Sequence, residues 1–258
     1  MSAAAGAAAL RDSRLEIVGK FVDASNVTLL AQTPDGSRCV YKPTSGERPL
    51  WDFPAGTLSG REVAMYQLAA ALGWDVVPAT VLRPDGPLGA GVCQRYVEAS
   101  DPPRVLLAAS AEIPAGWLVV AGGRDEDGSE AVLAHADDPD LQRIALLDVV
   151  ANNADRKGGH LLTDAEGRTW GIDHGLTFNT DDKLRTVLWG FSGTPIPVPL
   201  LADLCSLLDT WSSATAELVP LVSEVEMAAA RERLAALVAS ERFPQPAPGW
   251  PRLPWPPM

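Results

Sequence analysis

The chain has 258 residues, 47% of them hydrophobic, and a formal net charge of −12. That length suits one two-lobed domain or two small ones, with enough apolar residues for a core. The acidic balance argues against a nucleic-acid binder, which needs a basic surface to displace counterions, and against stable residence on anionic membranes. Cys39, Cys93 and Cys205 are odd in number, far apart and without C-x-x-C pairing, as expected of thiols in a reducing cytoplasm. MSAAAGAAAL lacks the basic start of a signal peptide, and no run is long and apolar enough to span a bilayer, so a cytoplasmic location is expected.

Taken in order, residues 1–13 read as a disordered, Ala-rich start. Three antiparallel strands follow, LEIVGKFV, NVTLLAQ and SRCVYKP, joined at Asp23-Ala24-Ser25 and at the turn Pro34-Asp35-Gly36. Lys42 closes the third strand, and Pro43 ends its ladder. A proline-rich loop leads to a helix opened by Ser59 and Glu62, in the form of a capping box, and ended by Gly73. A strand near Thr80–Leu82, a turn at Pro84–Gly86 and a strand GVCQRYVE complete an α+β lobe over residues 14–100.

Asp101-Pro102-Pro103 reads as a linker, and residues 101–242 as a mostly helical second lobe. Within it, Val105–Ala136 predicts a short helix, an apolar stretch and an acidic Gly-rich loop. A firmer helix begins at Asp138-Pro139 and runs to about Asn152. A loop, Asn153–Gly159, precedes a hairpin of HLLT and RTWGID, and a long connection spans residues 174–197. Ser223 and Glu226 form a second capping-box pattern before the last helix. The proline-rich residues 243–258 predict an extended tail.

The chemistry concentrates in Leu146–Phe178. Asp155, Lys157 and His160 lie on a loop between rigid elements, which is how catalytic groups are usually mounted. Asp173, just past the hairpin, can face the same loop. A carboxylate for an acceptor hydroxyl, a second for a divalent cation and a lysine for phosphate oxygens are the parts phosphoryl transfer requires. Asp155 or Asp173 taken singly reads better as a solvated turn residue.

NNADRKGGHLL and GIDHGLTF together resemble motifs of the phosphatidylinositol 3-/4-kinase-like superfamily, D-R-x-x-x-N and I-D-x-G-L-x-F. The resemblance covers roughly residues 15–200. It implies a bilobal protein-kinase-like fold, with Asp155 the catalytic aspartate and Asp173 the magnesium-binding one. It also implies that Lys42 holds ATP phosphates and pairs with Glu62, and that the backbone of Arg95, Tyr96, Val97 and Glu98 meets adenine. Lys157 would lie along the γ-phosphate, and Ser25 and Asn26 would approach the phosphates from a first hairpin that contains no glycine.

His160 stands where the family has asparagine. It could ligate a metal, better Mn²⁺ than Mg²⁺, touch phosphate, or do neither. His174 could orient Asp173 or merely fill space. The reading is therefore an ATP- and Mg²⁺- or Mn²⁺-dependent kinase acting on a hydroxyl acceptor, protein or small molecule rather than lipid. Its rivals are a nucleotide-binding pseudokinase and a metal-dependent hydrolase.

Overall fold

The structure is a computed structural model and describes residues 3–22, 24–100, 102–124, 127–248 and 251–258. Asp23 and Asp101, expected in the two linkers, lie outside the described residues. The predicted disordered start is instead a helix, α1 (Ala3–Asp12). Alanine is the strongest helix former, and Leu10 is buried in the small core of the neighbouring sheet. Arg83 Nη1 donates to the carbonyls of Leu10 (2.7 Å) and Ser13 (2.8 Å), capping groups the helix leaves open.

That sheet comprises β1 (Glu16–Lys20), β2 (Leu29–Gln32), β3 (Arg38–Pro43), β4 (Thr80–Gly86) and β5 (Gly89–Arg95), antiparallel in the order β1-β2-β3-β5-β4. Alternation sends Leu29, Ala31, Cys39, Tyr41 and Cys93 to the core with α1. The opposite parity puts Lys42, paired with Val92, on the other face. Pro43 is the last residue of the β3 ladder, opposite Gly91, where a Cβ would stand 2.3 Å from the Lys42 carbonyl oxygen. Pro84-Asp85-Gly86 is not the turn. Gly86 still pairs with Gly89, and the reversal falls on Pro87-Leu88.

Helix α2 (Leu58–Ala71) ends before Gly73, at φ +69°. Its start departs from the predicted capping box. The carboxylate of Glu47, from the preceding loop, accepts the amides of Leu58 (3.3 Å) and Ser59 (3.0 Å) and the Ser59 hydroxyl (2.8 Å). Glu62 is thereby left free to turn elsewhere.

Where a short helix and a loop are predicted, the chain builds a second antiparallel sheet, β6 (Val105–Ala108), β7 (Leu118–Arg124) and β8 (Glu130–His135), ordered β6-β8-β7. Only a single 3₁₀ turn, Ser110–Glu112, remains of the expected helix. Helix α3 (Pro139–Ala151) begins as predicted, with the Asp138 carboxylate accepting the amides of Asp140 (2.9 Å) and Leu141 (3.2 Å). The hairpin β9 (Leu161–Thr163) and β10 (Thr169–Gly171) follows. Then come α4 (Val198–Asp209), α5 (Trp211–Ala214) and α6 (Glu224–Ser240), the last opened by the expected Ser223/Glu226 capping box.

Side chains of α2, α3, α4 and α6 meet in one large core, with Met65, Leu68, Ile144, Leu147, Leu204 and Leu234 at its centre. Helix α2 also touches β4 and β5, so it links the sheet to the helical platform. Among the described residues no helix is long and apolar enough to cross a membrane.

Candidate active site

The loop after α3 is built on a buried ion pair. Arg156 gives Nε (2.8 Å) and Nη2 (2.9 Å) to the two carboxylate oxygens of Asp148, and neither side chain touches solvent. Asn153 Nδ2 donates to the same carboxylate (2.8 Å), while its Oδ1 accepts the Asp155 amide (3.0 Å). The remaining guanidinium nitrogen donates to the carbonyl of Ile172 at 2.8 Å and lies 3.4 Å from that of His160. One buried cation thus ties the loop that carries Asp155 to the residue before Asp173. Such a pair is costly to desolvate and is kept only with its hydrogen bonds complete, as here.

Asp173 sits at φ +57°, a left-handed conformation that aspartate tolerates better than most residues and that often marks functional sites. Its Oδ1 accepts Lys42 Nζ at 2.8 Å, and the same Nζ contacts Glu62 Oε1 at 2.5 Å. The sheet is therefore joined to the platform through Lys42. Burial would lower the Lys42 ammonium, but Asp173 and Glu62 together hold its pKa well above the usual lysine value. The Asp173 carboxyl is 49% exposed and is pulled far below the usual range, chiefly by Lys42. Burial raises Glu62 against the pull of Lys42.

His160 Nε2 lies 3.4 Å from the other oxygen of Asp173, and its Nδ1 is buried with no hydrogen-bond partner. Burial lowers its pKa to about 4, so the ring is neutral at physiological pH. Asp155 faces Lys157 at 3.3 Å, and burial raises its carboxyl against that lysine's pull. His174 is wholly buried with both ring nitrogens unpartnered, and burial keeps it neutral.

These groups surround one cavity of ≈ 220 Å³ whose wall includes Ser25, Asn26, Lys42, Glu62, Asp155, Lys157, His160 and Asp173. Arg95–Glu98 stay off that wall. The amide of Arg95 is committed to Ala79 O (2.8 Å) and that of Tyr96 to Arg38 O (3.1 Å), so a base recognised there would have to take a backbone N–H from Val97 or Glu98. Sequence reasoning missed Asp148, Asn153, Arg156 and Glu47. A carboxylate inside the apolar run Ile144–Ala151, eight positions before an arginine in a loop, is the one signal that could have pointed to Asp148 and Arg156.

Among the described residues no three His, Cys, Asp or Glu side chains gather as a self-sufficient metal site. Asp173 and His160 nonetheless fit a shared ion. One carboxylate and one neutral imidazole suit Mn²⁺, and such cations take their remaining ligands from nucleotide phosphates and water. Ligation through Nε2 would put the ring proton on Nδ1, which is buried with no acceptor among the described residues, so Asp173 is the firmer of the two candidate ligands.

No family model matches the sequence. Protein Rv2133c of Mycobacterium tuberculosis (strain ATCC 25618 / H37Rv) is 44% identical over 263 residues, spanning 96% of this chain and 94% of that protein. Among solved structures, the Golgi casein kinase with Mn/ADP bound superposes with a TM-score of 0.60 at 16% identity, over 93% of this chain and 75% of that one. The Helicobacter pylori proinflammatory kinase CtkA gives 0.50 at 11% identity, over 91% and 94% of the two chains. Identities this low speak to fold alone, and the fold is protein-kinase-like, as the sequence predicts.

Proposed function

Because the chain belongs to the same protein family as Rv2133c and has a protein-kinase-like fold, we propose that it is an ATP-dependent phosphotransferase acting on a hydroxyl acceptor. The observation that carries this reading is Lys42 Nζ lying on Glu62 and Asp173 at once, over a cavity that also holds Asp155 and Lys157. In this reading residues 14–100 form the nucleotide lid and residues 101–242 the platform. The narrower kinship with the phosphatidylinositol 3-/4-kinase-like superfamily is proposed on the two motifs around Asp155 and Asp173. The solved neighbours named as kinases, one of them with Mn/ADP bound, favour a nucleotide and a divalent ion as partners.

Lys42 would leave Asp173 for nucleotide phosphate oxygens, steadied by Glu62. Asp173 and His160 would hold Mg²⁺ or Mn²⁺, which neutralises phosphate charge when bound. Asp155, its basicity raised by burial, would take the proton of the acceptor hydroxyl as the new O–P bond forms. The bond from the γ-phosphorus to the bridging oxygen breaks, and ADP leaves. Lys157, beside Asp155, would follow the γ-phosphate through the transfer.

Thermal melting with ATP plus Mn²⁺ or Mg²⁺ tests the reading directly. Ligand at about a hundred times its dissociation constant stabilises by roughly 2.7 kcal/mol, a shift in midpoint that is easily seen. Asp173→Asn should abolish the shift, and Asp155→Asn should keep it while losing γ-phosphate transfer. No metal-dependent shift with either ion would sink the proposal. His160, standing for the family's asparagine, favours one second reading, a pseudokinase that would show the shift without any turnover. The hydrolase alternative has less support, because it needs the three-ligand cluster not found among the described residues.

A further inference from the structure

The proline-rich segment runs back over the platform and ends on the loop of Asp155. Phe243 exchanges backbone hydrogen bonds with the 193–194 turn, its carbonyl accepting Gly193 N and its amide donating to Thr194 O, both at 3.0 Å. Further along, the Arg252 carbonyl accepts from Trp189 Nε1 (2.7 Å) and from Thr186 N (3.2 Å). Leu253 packs against the large core, and Pro254 is buried. Finally the Pro257 carbonyl accepts the Gly158 amide at 2.8 Å. A Cβ on Gly158 would stand 2.6 Å from Met258 Sδ, so the loop at this point is shaped to receive the segment.

Prolines offer carbonyls but no N–H, and a row of donors including an indole N–H is how extended proline-rich chains are commonly bound. What this row holds in place is the pair Gly158-Gly159, between Lys157 and His160. Glycine loses more conformational freedom on ordering than any other residue, so the 3₁₀ turn Gly158–His160, closed by the His160 amide on Lys157 O at 3.2 Å and the Leu161 amide on Gly158 O, holds itself only weakly. Arg156 anchors its start and the hairpin its end, and segment 252–258 covers the middle.

We propose that residues 252–258 are a positioning strap, an extended proline-rich ligand supplied in cis that orders Gly158-Gly159 and so fixes Asp155 and Lys157 relative to His160. The inference deepens the phosphotransferase reading and rests on it for its consequence for turnover. Its structural half is tested without any activity.

The experiment is hydrogen exchange on the full chain, comparing the parent with Leu253→Ser/Met258→Ser and, by a separate route, with Gly158→Ala. Once residues 251–258 are freed, which quickened tryptic cleavage after Arg252 reports because the segment's prolines carry no amide, exchange across residues 155–161 should quicken by about tenfold or more, as in a locally opened unit. Turnover should fall by about tenfold while KM for ATP stays within about twofold, since a misplaced reacting group costs rate more than binding. If 251–258 is freed and 155–161 exchanges as slowly as in the parent, the strap is overturned. A segment that neither change frees is fixed core rather than a strap, and overturns it equally. A parent that binds no ATP refutes the phosphotransferase reading and leaves the exchange result to stand by itself.

Discussion

Asp148 gives both carboxylate oxygens to Arg156 and receives Asn153 on one of them, out of contact with water. Asp148→Asn keeps the shape but leaves the guanidinium without its counter-charge. Breaking a buried pair from one side typically costs about 3–5 kcal/mol, and that is the loss expected in urea unfolding. A loss below about 1 kcal/mol would mean that the guanidinium is sustained by the carbonyls of Ile172 and His160 alone. Asn153→Ala should cost less, about 1–3 kcal/mol, by leaving the Asp148 oxygen short of a donor and the Asp155 amide unpaired. Asp155, Lys157, Asp173 and Lys42, which line one cavity, were singled out in the sequence through the two motifs and the resemblance they carry, since position at the ends of rigid elements alone left Asp155 and Asp173 reading as solvated turn residues. Asp148 and Arg156 were not, since a charged residue in a helix or loop reads as solvated until its burial is known. Glu47 escaped for a related reason. Its partners are amides of α2, and Ser59 with Glu62 offered a nearer cap that the fold did not use.

At the scale of elements, β8 ends in a second buried histidine environment. His135 has no exposed surface, donates from Nδ1 to Ala136 O at 2.8 Å and leaves Nε2 unpartnered beside Gly190 and the Phe191 ring. Burial lowers its pKa, outweighing the opposite pull of the Ala136 carbonyl and of Asp137, so the folded protein holds His135 neutral where the unfolded chain would protonate it. The sign follows from linkage. Its contribution is complete above an unfolded pKa of about 6.5 and is lost as pH falls below that, by up to about 1.4 kcal/mol per pH unit for one proton. His160 and His174 are depressed in the same sense and add to the slope. Urea midpoints at pH 7.5 and 5.5 should therefore differ, and His135→Gln should shrink the difference without removing it. An unchanged difference would place the acid sensitivity elsewhere. The sheet that carries His135 was hidden by Gly122-Gly123 and the acidic stretch after it, which read as a loop, although Ala131, Leu133 and His135 alternate as a half-buried strand should. Helix α1 was hidden differently, because an alanine run shows no periodicity and acquires its amphipathic character only from Leu10 and the sheet beneath it.

For the molecule as a whole, the order of strands, helix, strands and then helices was enough to predict two lobes. It did not show that α2 would be shared between them. The global charge has a consequence of its own. A protein of net charge −12 repels an anionic metal–nucleotide complex, and the cavity itself sets Glu47, Glu62, Asp155 and Asp173 against Lys42 and Lys157. Repulsion between separated charges is screened by salt, with a Debye length of about 30 Å at 0.01 M and about 8 Å at 0.15 M. Contacts formed inside the cleft are screened much less. Under the phosphotransferase proposal, association of the metal–nucleotide complex should therefore quicken with added salt, the reverse of the usual behaviour of a basic nucleotide site, while dissociation changes little. Stopped-flow mixing with a fluorescent ATP analogue and Mn²⁺ should show an association rate about threefold to tenfold higher at 150 mM than at 10 mM KCl. A rate that falls with salt would mean that the local field of Lys42 and Lys157 dominates the approach. The nucleotide would then be drawn in by those two lysines against the charge of the rest of the chain.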